Sequence, residues 1–266
     1  MQQPPKTSTD HATPIMGVAM KTLTIFARSS GCGRSTAAFA LAGVWLHLGY
    51  RVGVIDLTHE RQQITPSSTI RRWSESMFDG GIRRSQLRIA RASVADNLDE
   101  LLASMIMGGV KRVVIDTAAK PDPVIDHALM RSQLVLCPLP GAIQARRTAE
   151  HLDRMRAPPG VVHGLMSRME GEARAQEREE MSEAFGRPFL MSELDTSELI
   201  GSLLNQRQFL DLLGNLIGRR RPVDADGRAV PAQLVDRPAL ARDWRRLLML
   251  AAEVECVLSG FKLTRL

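Results

Sequence analysis

Residues 27 to 36 read Ala-Arg-Ser-Ser-Gly-Cys-Gly-Arg-Ser-Thr, a run of small residues between two apolar stretches, Thr22 to Phe26 and Ser35 to Leu48. The first stretch has the length and composition of a buried strand, the second that of a helix. Glycine lets the backbone approach a ligand closely, and successive N–H groups at a helix start form a cradle for an anion. Ser30, Gly31, Cys32, Gly33, Arg34, Ser35 and Thr36 therefore make a candidate phosphate-binding loop. In such a loop the Ser35 hydroxyl is placed to ligate Mg²⁺, and Arg34 stands where a lysine would reach the β- and γ-phosphates. Taken alone, the same residues would also suit an ordinary tight turn.

Two carboxylates separate these readings. Asp56 follows the apolar run Arg51 to Ile55, and Asp116 follows Arg112 to Ile115. If both runs are strands of an open parallel sheet, both acids stand at the same carboxyl edge as the loop, where ligands bind in such folds. Asp116 is then a candidate magnesium ligand together with Ser35. Asp56 is the candidate catalytic residue, orienting water around the ion. Cys32, at a helix start, invites a redox role, but packing of a small apolar side chain is the simpler reading. The six histidines show no metal-ligand spacing.

The elements that must hold these residues alternate. Further strands are expected at 87–89, 134–136 and 161–165, and helices at 70–77, 94–107, 142–155 and 172–185. Strands that are apolar throughout and separated by helices predict an α/β fold, a mostly parallel sheet flanked by helices on both faces. Residues 1–19 are rich in Pro, Thr and Gln and read as a disordered leader, with Met1 or Met20 as the start; 20–266 reads as a single domain. Arg219 to Pro238 reads as an extended surface loop, and the apolar spacing after Pro238 predicts a C-terminal helix packed on the sheet. A membrane-binding helix is the sharper alternative, which Glu253 and Glu255 oppose.

The chain has 266 residues, 44% hydrophobic and 24% charged, the composition of an ordinary globular protein. No apolar run is long enough to span a bilayer and no signal pattern opens the chain, so a cytoplasmic location is expected. Three scattered cysteines suggest neither disulfides nor zinc. The net charge of +6, mostly from arginine, suits either contact with phosphates or mere solubility.

The loop, together with Val52 to Leu57, Val113 to Ala118, Ser132 to Pro140 and Arg146 to Glu150, resembles the ParA/MinD family of deviant P-loop ATPases over about Met20 to Phe209. Within it, the proteins of conjugative DNA transfer, including the T-DNA transfer type, look most similar. The resemblance implies a P-loop NTPase fold, ATP or ADP with Mg²⁺, a homodimer, and a DNA-bound or DNA-transfer partner protein. It also implies non-specific DNA contact, for which Arg219, Arg220 and Arg221 are the densest basic run; contact with a membrane is not expected. Members of the family usually carry two lysines in the loop and a second carboxylate after the first strand-end acid. Here those positions are Ser29, Arg34 and Thr58. The departures imply weak or absent hydrolysis and put nucleotide-driven dimerisation in question. Two other readings stay open: a non-catalytic scaffold that kept the fold and lost the nucleotide, and a Rossmann dehydrogenase, which Thr36 in place of a third glycine disfavours.

Overall fold

The computed structural model describes residues 19–58, 73–75, 77–78, 82–155, 160–167, 174–194 and 237–261. Seven strands form one sheet in the order β3-β2-β4-β1-β5-β6-β7, and every pairing is parallel. They are β1 (Lys21–Ile25), β2 (Val52–Leu57), β3 (Leu87–Arg91), β4 (Arg112–Thr117), β5 (Leu134–Leu139), β6 (Val161–Ser167) and β7 (Phe189–Leu194). Among the described residues the longer helices are α1 (Arg34–His47), α2 (Ala95–Met107), α3 (Pro123–Arg131), α4 (Ala142–Arg154), α5 (Arg174–Phe185) and α6 (Arg237–Leu258).

Because successive side chains of a strand point to opposite faces, each buried strand feeds two cores. On one face Leu23, Val54, Val114 and Leu136 meet Leu41 and Trp45 of α1 and Leu250 and Val254 of α6. On the other, Ile55, Ile115, Val135 and Cys137 meet Leu98 of α2, Leu129 of α3, Leu152 of α4 and Phe185 of α5. The expected two-sided parallel sheet is therefore present. The strand order reverses direction at β1, with β4 on one side and β5 on the other, so the turn after β1 opens at the point where a crevice forms.

Several details differ from the sequence expectation. Asp56 and Asp116 do not follow their strands; each is the last residue but one within its strand, because the β2–β4 ladder runs on to pair Leu57 with Thr117. α3 was not among the expected helices; the Asp122 side chain caps it by accepting from the Val124 N–H, and Pro123 occupies the first turn. β7 was not expected; Pro188 precedes it, and its polar Ser192 and Glu193 break the apolar pattern. The segment 73–75 and 77–78 is helical as expected, while the rest of 70–77 lies outside the described residues. So do the leader through residue 18 and loop positions 219–236, Arg219 to Arg221 among them; Arg237 and Pro238 already belong to α6.

α6 is fastened to the sheet by charge as well as by apolar contact. Arg112, at the start of β4, donates through Nε and Nη2 to the two Glu255 carboxylate oxygens at 2.5 and 2.7 Å, and its guanidinium lies over the Tyr50 ring. Glu253 accepts from the Ser192 backbone N–H of β7 at 2.9 Å. Only 4% of the Arg112 side chain is exposed, so it cannot be left charged without a partner at small cost. Glu255→Ala is expected to lower unfolding free energy by about 3 kcal/mol in urea denaturation. The double change Arg112→Met with Glu255→Leu is expected to recover most of that loss, since it removes both charges.

Candidate functional site

The turn after β1 carries two left-handed residues, Gly31 at φ 66° and Gly33 at φ 89°. A side chain would be strained at both, so these glycines set the shape of the loop. Gly33 is the N-cap of α1; no side chain caps that helix, and no acidic residue stands in its first turn. Its positive end is thus left facing the crevice. The loop is held laterally: the Arg28 N–H donates to Thr148 Oγ1 of α4 at 3.1 Å, and Ser167 Oγ of β6 donates to the Cys32 carbonyl at 2.9 Å. Cys32 is buried and its thiol donates to the Ser29 carbonyl, which fits the packing reading.

Arg34 folds back over the loop instead of reaching outward. Its Nη1 donates to the carbonyls of Ala27 and Ser29, both at 2.5 Å, so the guanidinium staples the two ends of the turn together. Ser30 and Gly31 are exposed at the tip, and Gly33, Ser35 and Thr36 are half-buried behind it.

Asp56 and Asp116 are direct partners in the β2–β4 ladder, and both are buried. By strand alternation they point to the same face as Val54 and Val114, the face that α1 covers. Their surroundings differ. Thr58 donates to Asp56 Oδ1 through its backbone N–H at 2.9 Å and its hydroxyl at 2.5 Å, and Arg91 Nε of β3 lies 3.3 Å from Oδ2. Thr58, which stands where a second carboxylate was anticipated, thus serves as a donor to the first. Arg91 was not anticipated; only the β2–β3 register, which sets Asp56 opposite Arg91, makes it a neighbour.

Asp116 has less support. Its burial raises the carboxyl pKa to about 7, a hydrogen bond from Ser35 opposes this, repulsion from Asp56 adds to it, and Arg34 and the Thr117 N–H oppose it. Its Oδ1 is buried with no hydrogen-bond partner. Arg28 Nη1, Ser29 Oγ and Arg34 Nε are likewise buried without one, and Asp56 Oδ2 accepts no hydrogen bond beside its ion pair with Arg91. Three donors on the loop and one carboxylate oxygen on the strand facing it are the complement of an anion accompanied by a cation. Ser35 and Asp116 have the oxygen chemistry of a magnesium site that takes one or two protein ligands and fills the rest from phosphate and water. Among the described residues, no group of three or more His, Cys, Asp or Glu side chains converges as a metal site.

No protein-family model and no curated protein matches the chain. Solved structures do. Apo McdA from Cyanothece superposes with a TM-score of 0.56 at 18% identity, covering 88% of this chain and 100% of that one. A ParA family ATPase from Chlorobium tepidum gives 0.55 at 13% identity over 74% of this chain and 93% of its own. The MinC:MinD cell division complex of Aquifex aeolicus gives 0.52 at 12% identity over 77% and 98%. The fold is therefore that of the ParA, MinD and McdA ATPases.

The Asp116 environment has a direct consequence for pH dependence. Its carboxyl, ordinarily near 3.8, titrates near 7 when folded, so between those values the folded chain binds the extra proton. Without divalent ions, stability from this group is fully present below about pH 4 and is lost as pH rises through about 7, a change on the order of a few kcal/mol. Thermal unfolding as a function of pH is expected to show Asp116→Asn flattening this decline and melting higher than the parent at pH near 8.

Proposed function

We propose that the chain is a nucleotide-binding positioning protein of the ParA kind, taking ATP or ADP with Mg²⁺ at residues 30–36 and acting on DNA or a DNA-transfer complex through a partner. The observation that carries this reading is the set of buried polar atoms without partners, Arg28 Nη1, Ser29 Oγ, Arg34 Nε and Asp116 Oδ1, gathered about an uncapped helix start. Phosphates would be held by the loop N–H groups and by Arg34 once it leaves the Ala27 and Ser29 carbonyls. Ser35 and Asp116 would hold the magnesium ion, which neutralises phosphate charge when bound.

Hydrolysis on this scaffold is weak or absent. Phosphoryl transfer is accelerated by positioned charge, and here Ser29 brings no cation to the site. Asp56 accepts from Thr58 and is paired with Arg91, which lowers its power to polarise water. A homodimer that closes over the nucleotide would lack a lysine from the Ser29 position, so association rests on other contacts. Structurally similar proteins support the partner reading by kind alone: MinD stands in a complex with MinC.

The retracted Arg34 favours a second reading, a scaffold whose loop is closed by its own arginine and takes no nucleotide. Melting temperature separates the two. A ligand present at about a hundred times its Kd adds roughly 2.7 kcal/mol, worth about 5–10 °C for a domain of this size. Millimolar ATP or ADP with Mg²⁺ is expected to give such a shift and Arg34→Glu to abolish it; no shift with either nucleotide would leave the scaffold.

Turnover should also respond to restoring the lost groups. Ser29→Lys combined with Thr58→Asp is expected to raise ATP hydrolysis at least about tenfold in a phosphate-release assay, since each removed charge is worth that order.

A further inference from the structure

Since the seven described strands are parallel, the turns that enter them lie at one edge of the sheet, opposite the loop after β1. Those turns are one-sided in charge. Among the described residues, positions 19–21, 47–51, 82–88, 106–111, 131–133, 160–161, 186–188 and 259–261 hold no aspartate or glutamate.

Toward the β5–β7 side the cations at this edge are neutralised by helix carboxylates: Arg131 pairs with Asp99, and Arg187 with Asp153. At the corner made by β3, β2 and β4 such pairing is missing from the described contacts of Arg51, Arg83, Arg84 and Arg88, all of which are exposed. Arg83 contacts Gln86, Arg84 lies over the Phe78 ring, and Arg88 donates to the Ser104 carbonyl at the end of α2. The four stand close together, because the Lys111 N–H donates to the Arg51 carbonyl and the Val52 N–H to the Gln86 carbonyl. The Arg51 guanidinium lies against Gly109 and that of Arg88 against Gly108.

The same corner exposes large apolar side chains. Met107 is 83% exposed, Ile106 58% and Leu48 53%, at the ends of α2 and α1, and Phe261, just past α6, is 69% exposed. Lys21 reaches Ser259 at 2.8 Å, which brings the end of α6 to the start of β1. Cations beside protruding apolar side chains match a surface with anionic headgroups above a hydrocarbon layer. A duplex nucleic acid would engage the arginines and leave Met107 and Phe261 in water.

We propose that this amino-edge corner of the sheet docks on an anionic lipid bilayer, with the arginines among the headgroups and Met107, Ile106, Leu48 and Phe261 at the acyl boundary. This departs from the sequence expectation of no membrane contact, and it does not use α6 as an amphipathic anchor. The apolar face of that helix, Leu247, Leu250, Val254 and Val257, is already buried against the sheet and α1. Docked in this way, the chain holds its phosphate loop away from the lipid, open to nucleotide and partners.

Flotation of the whole chain with vesicles of phosphatidylglycerol and phosphatidylcholine in equal parts tests the proposal. Binding is expected on these vesicles, lost at high salt and absent on phosphatidylcholine alone. Arg51→Gln and Arg84→Gln are each expected to weaken it about fivefold. Met107→Ser should weaken it several-fold while leaving the salt dependence unchanged, and Met249→Ser, exposed on α6 away from this edge, should do nothing; all are surface changes whose folding circular dichroism verifies. Failure to float with the anionic vesicles would overturn the proposal. So would vesicle binding that survives Met107→Ser and Phe261→Ser and is displaced by a DNA duplex, which would make the corner a nucleic-acid surface.

Discussion

Two carboxylates in register across one parallel ladder, Asp56 beside Asp116, are the constraint to which the site around them is fitted. Neighbouring strands in a sheet lie only about 4.8 Å apart, and burial on the α1 face removes the water that would screen the pair. The surrounding residues divide the problem unequally. Thr58 and Arg91 meet both oxygens of Asp56, while Asp116 keeps the Ser35 hydroxyl and an oxygen with nothing to accept from. Asp56 has the nearer charge partner in Arg91, yet its Oδ2, like Asp116 Oδ1, accepts no hydrogen bond. The Arg34 staple belongs to the same arrangement: it keeps a positive charge beside Asp116 while closing the turn on its own carbonyls.

On the proposed function, binding and catalysis would draw on different parts of this arrangement. Binding would draw on the backbone cradle, the helix end and one carboxylate, which β1, α1 and β4 hold in place. On the proposed reading catalysis would draw on further charges, which Ser29 and Thr58 do not carry. Hydrogen bonds to Thr148 and from Ser167 tie the loop to α4 and β6.

The glycines, the hydroxyls and the two acids were legible in the sequence because they act through local rules: left-handed turns, a helix start, apolar runs with a polar stop. α3 was hidden by the same residues that build it, since Asp122 and Pro123 look like loop punctuation until the helix they cap is seen. β7 is an edge strand whose Ser192 backbone is satisfied by Glu253 from far along the chain, a contact with no local signature. Arg91 became part of the site only through strand register, and the direction taken by Arg34 depends on two carbonyls that no residue pattern announces.

The tie between Arg112 and Glu255 joins positions 143 residues apart, and it has a consequence for the order of assembly. During synthesis the strands and α2 to α5 can assemble with one core closed, while Leu190, Leu194 and much of the α1 face wait for the last helix to arrive. Long-range closure of this kind is slow relative to local structure. A chain truncated before Arg237 would therefore leave Leu190 and Leu194 without the cover of that helix, an exposed apolar face of the kind that favours aggregation.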